Sequence, residues 1–207
     1  MTRIIGGRAG GRRLSTPTGS LTRPTADRVR EALFSSVESA LGSLQGLRVL
    51  DLYAGSGAVG LEAWSRGAAE VTLVEQDRRT AGVITANVRT LGCTGVQVVS
   101  SSVTRHLEGR PDGPFDFVFL DPPYSLATEK VVADLVALER GWLTDDALVV
   151  VERAARDRGL TWPAGFEPGR VRRYGETSLS SATWRGAGFG TVAEPQQPPA
   201  DQPPEEP

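Results

Sequence analysis

Five short apolar runs alternate with stretches of helical periodicity across the middle of the chain, and few architectures accommodate such a pattern. The runs are "LRVLDLY" (47–53), "EVTLVE" (70–75), "VQVVSS" (96–101), "FDFVFLD" (115–121) and "ALVVVE" (147–152). Each is too short to be a helix, and most are continuously apolar rather than alternating, as expected of strands covered on both faces. Between them, "TADRVREALFSSVESAL" (25–41) spaces Val29, Leu33, Val37 and Leu41 four apart on one helical face, with Asp27 placed favourably near its N-terminus. Further helices are expected near 58–66, over 77–92 with Gly92 as the stop, and near 128–140. The alternation predicts an α/β domain with a doubly wound, mostly parallel sheet. The end differs: "RVRRYGETSLSSATWR" (170–185) reads as two strands around "GET", an antiparallel hairpin that brings the sheet to seven strands.

Outside this core, residues 1–24 are Gly- and Arg-rich and read as a loose basic arm or hairpin, 25–187 as the main domain, and 188–207 as a disordered Pro-rich acidic tail. Residues 1–30 hold seven arginines against one acid, whereas 186–207 hold four acids and no base, so the net charge of -2 conceals a basic head. Such a head suits either a polyanionic partner or a mobile, solvated terminus. One cysteine and one histidine exclude an intrachain disulfide and argue against a thiolate or histidine metal site. No apolar run is long enough to span a bilayer, and the start lacks a signal-peptide core, so the expectation is a cytoplasmic protein with no membrane partner. Nothing demands more than a monomer.

The first strand runs into "DLYAGSGAVGLE" (51–62), which places Gly55-x-Gly57-x-x-Gly60 between strand and helix. Glycines there let a ligand approach the backbone at the carboxyl edge of the sheet. Glu75, 20 residues after Gly55, ends the next strand, where a carboxylate accepts hydrogen bonds from ribose hydroxyls. NAD shares these glycines, but Asp51 would repel a pyrophosphate lying on the loop. A carboxylate there suits a ligand with a cationic ammonium and no phosphate, which favours S-adenosylmethionine, with S-adenosylhomocysteine as product and no metal. Ser102 and Val103, after the third strand, fall where an adenine ring would lie; Asp77 is expected to cap a helix.

The fourth strand ends in Asp121-Pro122-Pro123-Tyr124. A strand cannot continue through two prolines, so the chain turns there, at a strand end expected beside the cofactor crevice. The Asp121 carboxylate and the Pro122 carbonyl are pure acceptors and together can bind both hydrogens of one exocyclic NH2 group. So held, the amine lone pair is freed to attack a methyl group, and Asp121 stabilises the charge that grows on nitrogen. Tyr124 offers a ring for stacking a base withdrawn from its helix. Guanine N2, adenine N6 and cytosine N4 all present such an amine, and these residues do not choose among them.

Taken together, "RIIGGRAGGRRL", "RPTADRVREALF", "DLYAGSGAVGLEA" and "FVFLDPPY" resemble the RsmD family, class I S-adenosylmethionine-dependent amino-methyltransferases with a Rossmann-like fold. The resemblance runs from about Arg3 into the 180s and leaves out the tail. It implies methyl transfer to the N2 amine of a guanine in 16S ribosomal RNA, on an assembled or partly assembled small ribosomal subunit. It also implies that Arg23 and Thr25 help close the cofactor pocket, that Arg3, Arg8, Arg12 and Arg13 belong to a basic arm gripping phosphates, and that Arg23 joins them as an RNA-binding residue. Arg28 and Arg30 are expected on an exposed helix face. Trp64, Trp142, Trp162, Trp184 and Cys93 read as packing residues, and His106 is given no role. A DNA amino-methyltransferase, a protein glutamine methyltransferase (a group that usually shows Asn where Asp121 stands), a non-catalytic RNA-binding assembly factor and a nicotinamide oxidoreductase remain the rival readings.

Overall fold

The computed structural model describes residues 2–17, 27–157 and 160–189. Two short strands, β1 (Thr2–Arg3) and β2 (Arg13–Leu14), pair antiparallel around a single 3-10 turn at Gly7–Ala9. The main unit then runs α1 (Asp27–Leu41), β3 (Arg48–Leu52), α2 (Ala58–Ser65), β4 (Glu70–Glu75), α3 (Arg78–Leu91), β5 (Val96–Ser100) and α4 (Val103–Leu107). It closes with β6 (Phe115–Leu120), α5 (Thr128–Leu138), β7 (Leu143–Ala154), β8 (Phe166–Tyr174) and β9 (Thr177–Trp184). The seven-stranded sheet has the order β5-β4-β3-β6-β7-β9-β8, parallel through β7, with β9 and β8 antiparallel at the edge. This is the expected doubly wound fold with its terminal hairpin.

The order reverses between β3 and β6, so the switch-point crevice opens at their carboxyl ends, where both sequence motifs stand. Strand alternation divides the core into two layers. Val49, Leu73, Phe117, Phe119, Leu148 and Val150 face α1 and α2, while Leu50, Leu52, Val118, Leu120, Val149 and Val151 face α4 and α5. Trp142 and Trp184 are buried in the second layer and Trp64 in the first; the thiol of Cys93 is pushed up to about 11 by burial, in keeping with a packing role.

Asp77 caps α3, its side chain accepting from the Thr80 amide at 2.8 Å, and Gly92 ends that helix in the left-handed conformation. Two expectations are corrected and one element, α4, was not anticipated. Strand β7 begins four residues before Ala147, because Leu143 pairs with Phe115 across an irregularity in the ladder. The short α4 had no periodic signal at five residues. Arg30 is completely buried rather than exposed: its guanidinium donates to the Arg3 carbonyl and to Asp27, both at 2.7 Å.

The N-terminal arm is also not loose. Ile4 is fully buried in the main core. The Ile5 and Gly6 amides donate to the Glu62 carboxylate on α2 at 2.6 and 2.8 Å, and the Ala9 amide to the Ser65 hydroxyl at 2.9 Å. A buried Glu62 would be costly alone, and these donors together with Arg66 at 2.8 Å satisfy it. Gly7 sits at φ +73 so close to α2 that a Cβ would lie 2.0 Å from the Ser65 carbonyl oxygen.

Candidate active site

Four carboxylates line the carboxyl edge of the sheet: Glu75 ends β4, Asp51 lies near the end of β3, Asp121 follows β6 and Glu152 lies in β7. Register pairs Asp51 with Leu73 and Phe119, and Leu120 with Val151, so Asp121 and Glu152 stand one step further along adjacent strands. By strand alternation all four project from the face that carries Leu73, Phe119 and Val150.

Asp51 is buried, and its carboxylate accepts from the Gly60 amide in the first turn of α2 at 2.8 Å. Burial pushes its pKa up to about 7; the Gly60 bond opposes that rise and the neighbouring Glu75 adds to it. One oxygen of Glu75 takes the Gly55 amide at 3.0 Å and the other the Asp77 amide at 2.8 Å, which ties the glycine loop to β4. The glycines divide the work. Gly57 caps α2 at φ +76, and a Cβ on Gly60 would meet the Leu73 side chain at 2.6 Å, so helix packs hard on strand. Around Gly55 a Cβ would find only the Tyr53 carbonyl, at 3.9 Å, leaving its face open for a ligand.

Sequence reasoning missed Tyr53, which lies between Asp51 and Gly55. It adopts φ +62, a conformation costing a non-glycine residue on the order of 1 kcal/mol or more. Its hydroxyl donates to the buried Asp134 of α5 at 2.5 Å, a bond that holds the turn in place. Burial and this bond raise the phenol far above its ordinary range, and burial likewise raises Asp134. Neither residue has a partner within helical or strand spacing, so no sequence signal joins them.

Asp121 is half-buried, and its amide continues the ladder by donating to the Leu52 carbonyl at 3.3 Å. Burial raises its carboxyl well above the usual aspartate value, and the charges of Glu152 and then Asp51 raise it further. Pro122 is buried and Pro123 exposed, and the Pro123 carbonyl accepts from Leu126 at 2.8 Å to close the turn. Tyr124 is 39% exposed, and its hydroxyl is 3.2 Å from the hydroxyl of Thr177 at the start of β9. The terminal hairpin thus fixes the aromatic ring of the corner.

The other expected site residues divide between this edge, where Ser102 follows β5 beside Glu75, and the N-terminal arm. Ser102 is exposed and caps α4, accepting from the Arg105 amide at 3.3 Å, while Val103 is buried in the core. Arg23 and Thr25 lie outside the described residues. Arg8 is exposed but tied to α2: it donates to the Trp64 carbonyl at 2.8 Å and stacks on the Trp64 ring. Arg12 donates to the Thr90 carbonyl at 3.2 Å, Arg3 pairs with Asp27 at 3.3 Å, and Arg13 is exposed. His106 packs against the Trp142 ring. Among the described residues no cluster of side chains could hold a metal ion, and no helix is long and apolar enough to cross a membrane.

Comparison with known proteins agrees with this geometry. A family described as "Conserved hypothetical protein 95" matches residues 2–183. The chain is 38% identical over 176 residues to ribosomal RNA small subunit methyltransferase D of Escherichia coli K12, covering 85% of this chain and 86% of that protein. It is 37% identical over 167 residues to the methyltransferase of the same name from Haemophilus influenzae, covering 79% and 84%. The solved structure of yhhF from Escherichia coli superposes with a TM-score of 0.79 at 36% identity, over 90% of this chain and 98% of that one. A family match over nearly all of the core, with the glycine loop and the Asp-Pro-Pro-Tyr corner meeting at one crevice, makes the chain a methyltransferase and a member of this family, the RsmD family.

Proposed function

We propose that this protein transfers a methyl group from S-adenosylmethionine to the exocyclic N2 amine of a guanine in 16S ribosomal RNA of the small ribosomal subunit, in the cytoplasm. The observation that carries the reading is the meeting of an acceptor-only corner, Asp121 and Pro122, with a glycine loop and two carboxylates at one switch point. Two relatives named for ribosomal RNA methylation support the RNA substrate. The residues present fit S-adenosylmethionine: the open face at Gly55, the exposed flank of Ser102 and the acidic edge at Asp51 and Glu75 suit a cationic ligand with a ribose. Glu75 keeps acceptor capacity beside its two amide bonds, because a carboxylate offers about four lone-pair sites. When bound, this cofactor supplies a methyl group on a cationic sulfur.

The chain's own residues do the rest. Asp121 and the Pro122 carbonyl receive the two N–H bonds of the amine and direct its lone pair toward the crevice. The prolines leave these acceptors little freedom to reorganise. Asp121 must be ionised to stabilise the ammonium that forms as nitrogen is alkylated. Tyr124, steadied by Thr177, stacks on the flipped base. Arg3, Arg12 and Arg13 face the phosphate backbone, which lends affinity without base choice; Arg8 contributes by holding the arm to α2.

The test is transfer of tritiated methyl groups to small ribosomal subunits lacking base methylation, with naked ribosomal RNA and duplex DNA in parallel and nucleoside analysis of the product. The expected product is N2-methylguanosine on the subunits. Label confined to DNA would overturn the RNA reading.

A further inference from the structure

Glu152 is 4% exposed, sits in the middle of the sheet's carboxyl edge, and was not singled out by any motif. Its position follows from register. Leu120 pairs with Val151 in the parallel β6–β7 ladder, so Glu152 is the next residue on β7 beside Asp121 on β6. On its other side Glu152 pairs with Leu179 of β9, two residues from the Thr177 that holds Tyr124. The aromatic ring and the two carboxylates therefore frame one space, with the ring on one side and the acids along its edge.

A buried carboxylate and a half-buried one side by side repel each other, and the fold retains this arrangement although an amide or apolar residue at 152 would relieve it. The arrangement becomes favourable when the space receives a ligand presenting adjacent N–H donors. Guanine does so: its N1–H and its N2 amine lie next to each other on the pairing edge. Adenine and cytosine present a bare ring nitrogen beside their amine, an acceptor that a buried carboxylate rejects. Resting on the proposed methylation of a guanine, we infer that Glu152 is the residue that selects the base, accepting the guanine N1–H while Asp121 and Pro122 hold the N2 amine. Glu152 also has a partner within the chain, and a carboxylate retains lone pairs for both. A site built around a hydrogen bond rejects analogues lacking the donor far more strongly than a merely apolar pocket does.

The test compares RNA substrates carrying guanine or 2-aminopurine at the methylated position, assembled into small subunits, with wild type and Glu152→Gln. 2-Aminopurine keeps the amine but has an acceptor at N1 and lacks O6. The missing O6 affects both enzymes alike and cancels when their preferences are compared. Wild type should favour guanine in kcat/KM by at least about a hundredfold. Glu152→Gln, whose amide can donate to the bare nitrogen, should lower guanine turnover and narrow that preference at least about tenfold, with unchanged binding of S-adenosylmethionine in titration. A wild-type preference near unity overturns the inference without recourse to any variant. An unchanged preference in a folded, cofactor-binding Glu152→Gln enzyme overturns it as well and leaves guanine methylation standing. Wild type that leaves guanine unmodified overturns both readings.

Discussion

At Asp121 the requirements of catalysis and of stability oppose one another. Burial and the neighbouring charges of Glu152 and Asp51 raise its carboxyl well above the usual range, yet the proposed reaction needs the ionised form. Because the folded-state pKa exceeds the unfolded one, the repulsion is fully present above the folded value. It fades as pH falls through that value and is gone below the unfolded one near about 3.9. Asp121→Asn should therefore raise the melting temperature at neutral pH, by about 2–4 °C for each kcal/mol relieved, and the gain should vanish in acid. Thermal unfolding of both proteins across pH checks this; an unchanged Tm at pH 7.5 would contradict it. Asp121→Ala should cut turnover at least about a hundredfold with little change in cofactor affinity, because its acceptor acts mainly in the transition state. The rate should also fall on acidification at a pH above that of an ordinary aspartate, the direction set by the raised carboxyl.

Among the elements, the N-terminal arm is where charge misleads. Its arginines suggest a mobile phosphate grip, but its glycines and apolar residues decide its conformation. Ile4 enters the core, Glu62 collects two arm amides, and Gly7 lets the backbone touch the end of α2. Gly7→Ala should destabilise the protein by about 1–3 kcal/mol, since a Cβ there meets backbone and φ is +73. A denaturant titration measures it, and a midpoint within error of wild type would show that the arm does not bear on the fold. The terminal hairpin acts in a comparable way at the far side, where Thr177 of β9 orients Tyr124. Deleting either element would disturb packing and site together, so substitutions at exposed arginines are the cleaner probe of RNA contact.

Over the whole molecule, the acidic carboxyl edge that suits a cationic cofactor and an amine contrasts with the basic arm that suits phosphates. Arg12→Ala with Arg13→Ala should reduce the slope of log affinity against log salt by roughly 1–2, each lost phosphate contact contributing somewhat under one unit. An equilibrium binding series on ribosomal RNA would refute the grip if the slope stayed constant. The alternation of strands and helices, the glycine loop and the corner were legible in the sequence because they rest on local signals: apolar runs, strand-ending prolines, and glycines between strand and helix. These need only neighbouring residues to make their effect. Arg30, Glu62, the Tyr53–Asp134 bond and the Glu152–Asp121 pairing were not legible, since each joins residues from separate elements. Local chemistry alone thus determined where the chain bends and which atoms it offers to a ligand. Which charges are buried, and which of them face each other, was decided only when the sheet set its register, because desolvation and Coulomb repulsion depend on distance through space rather than along the chain.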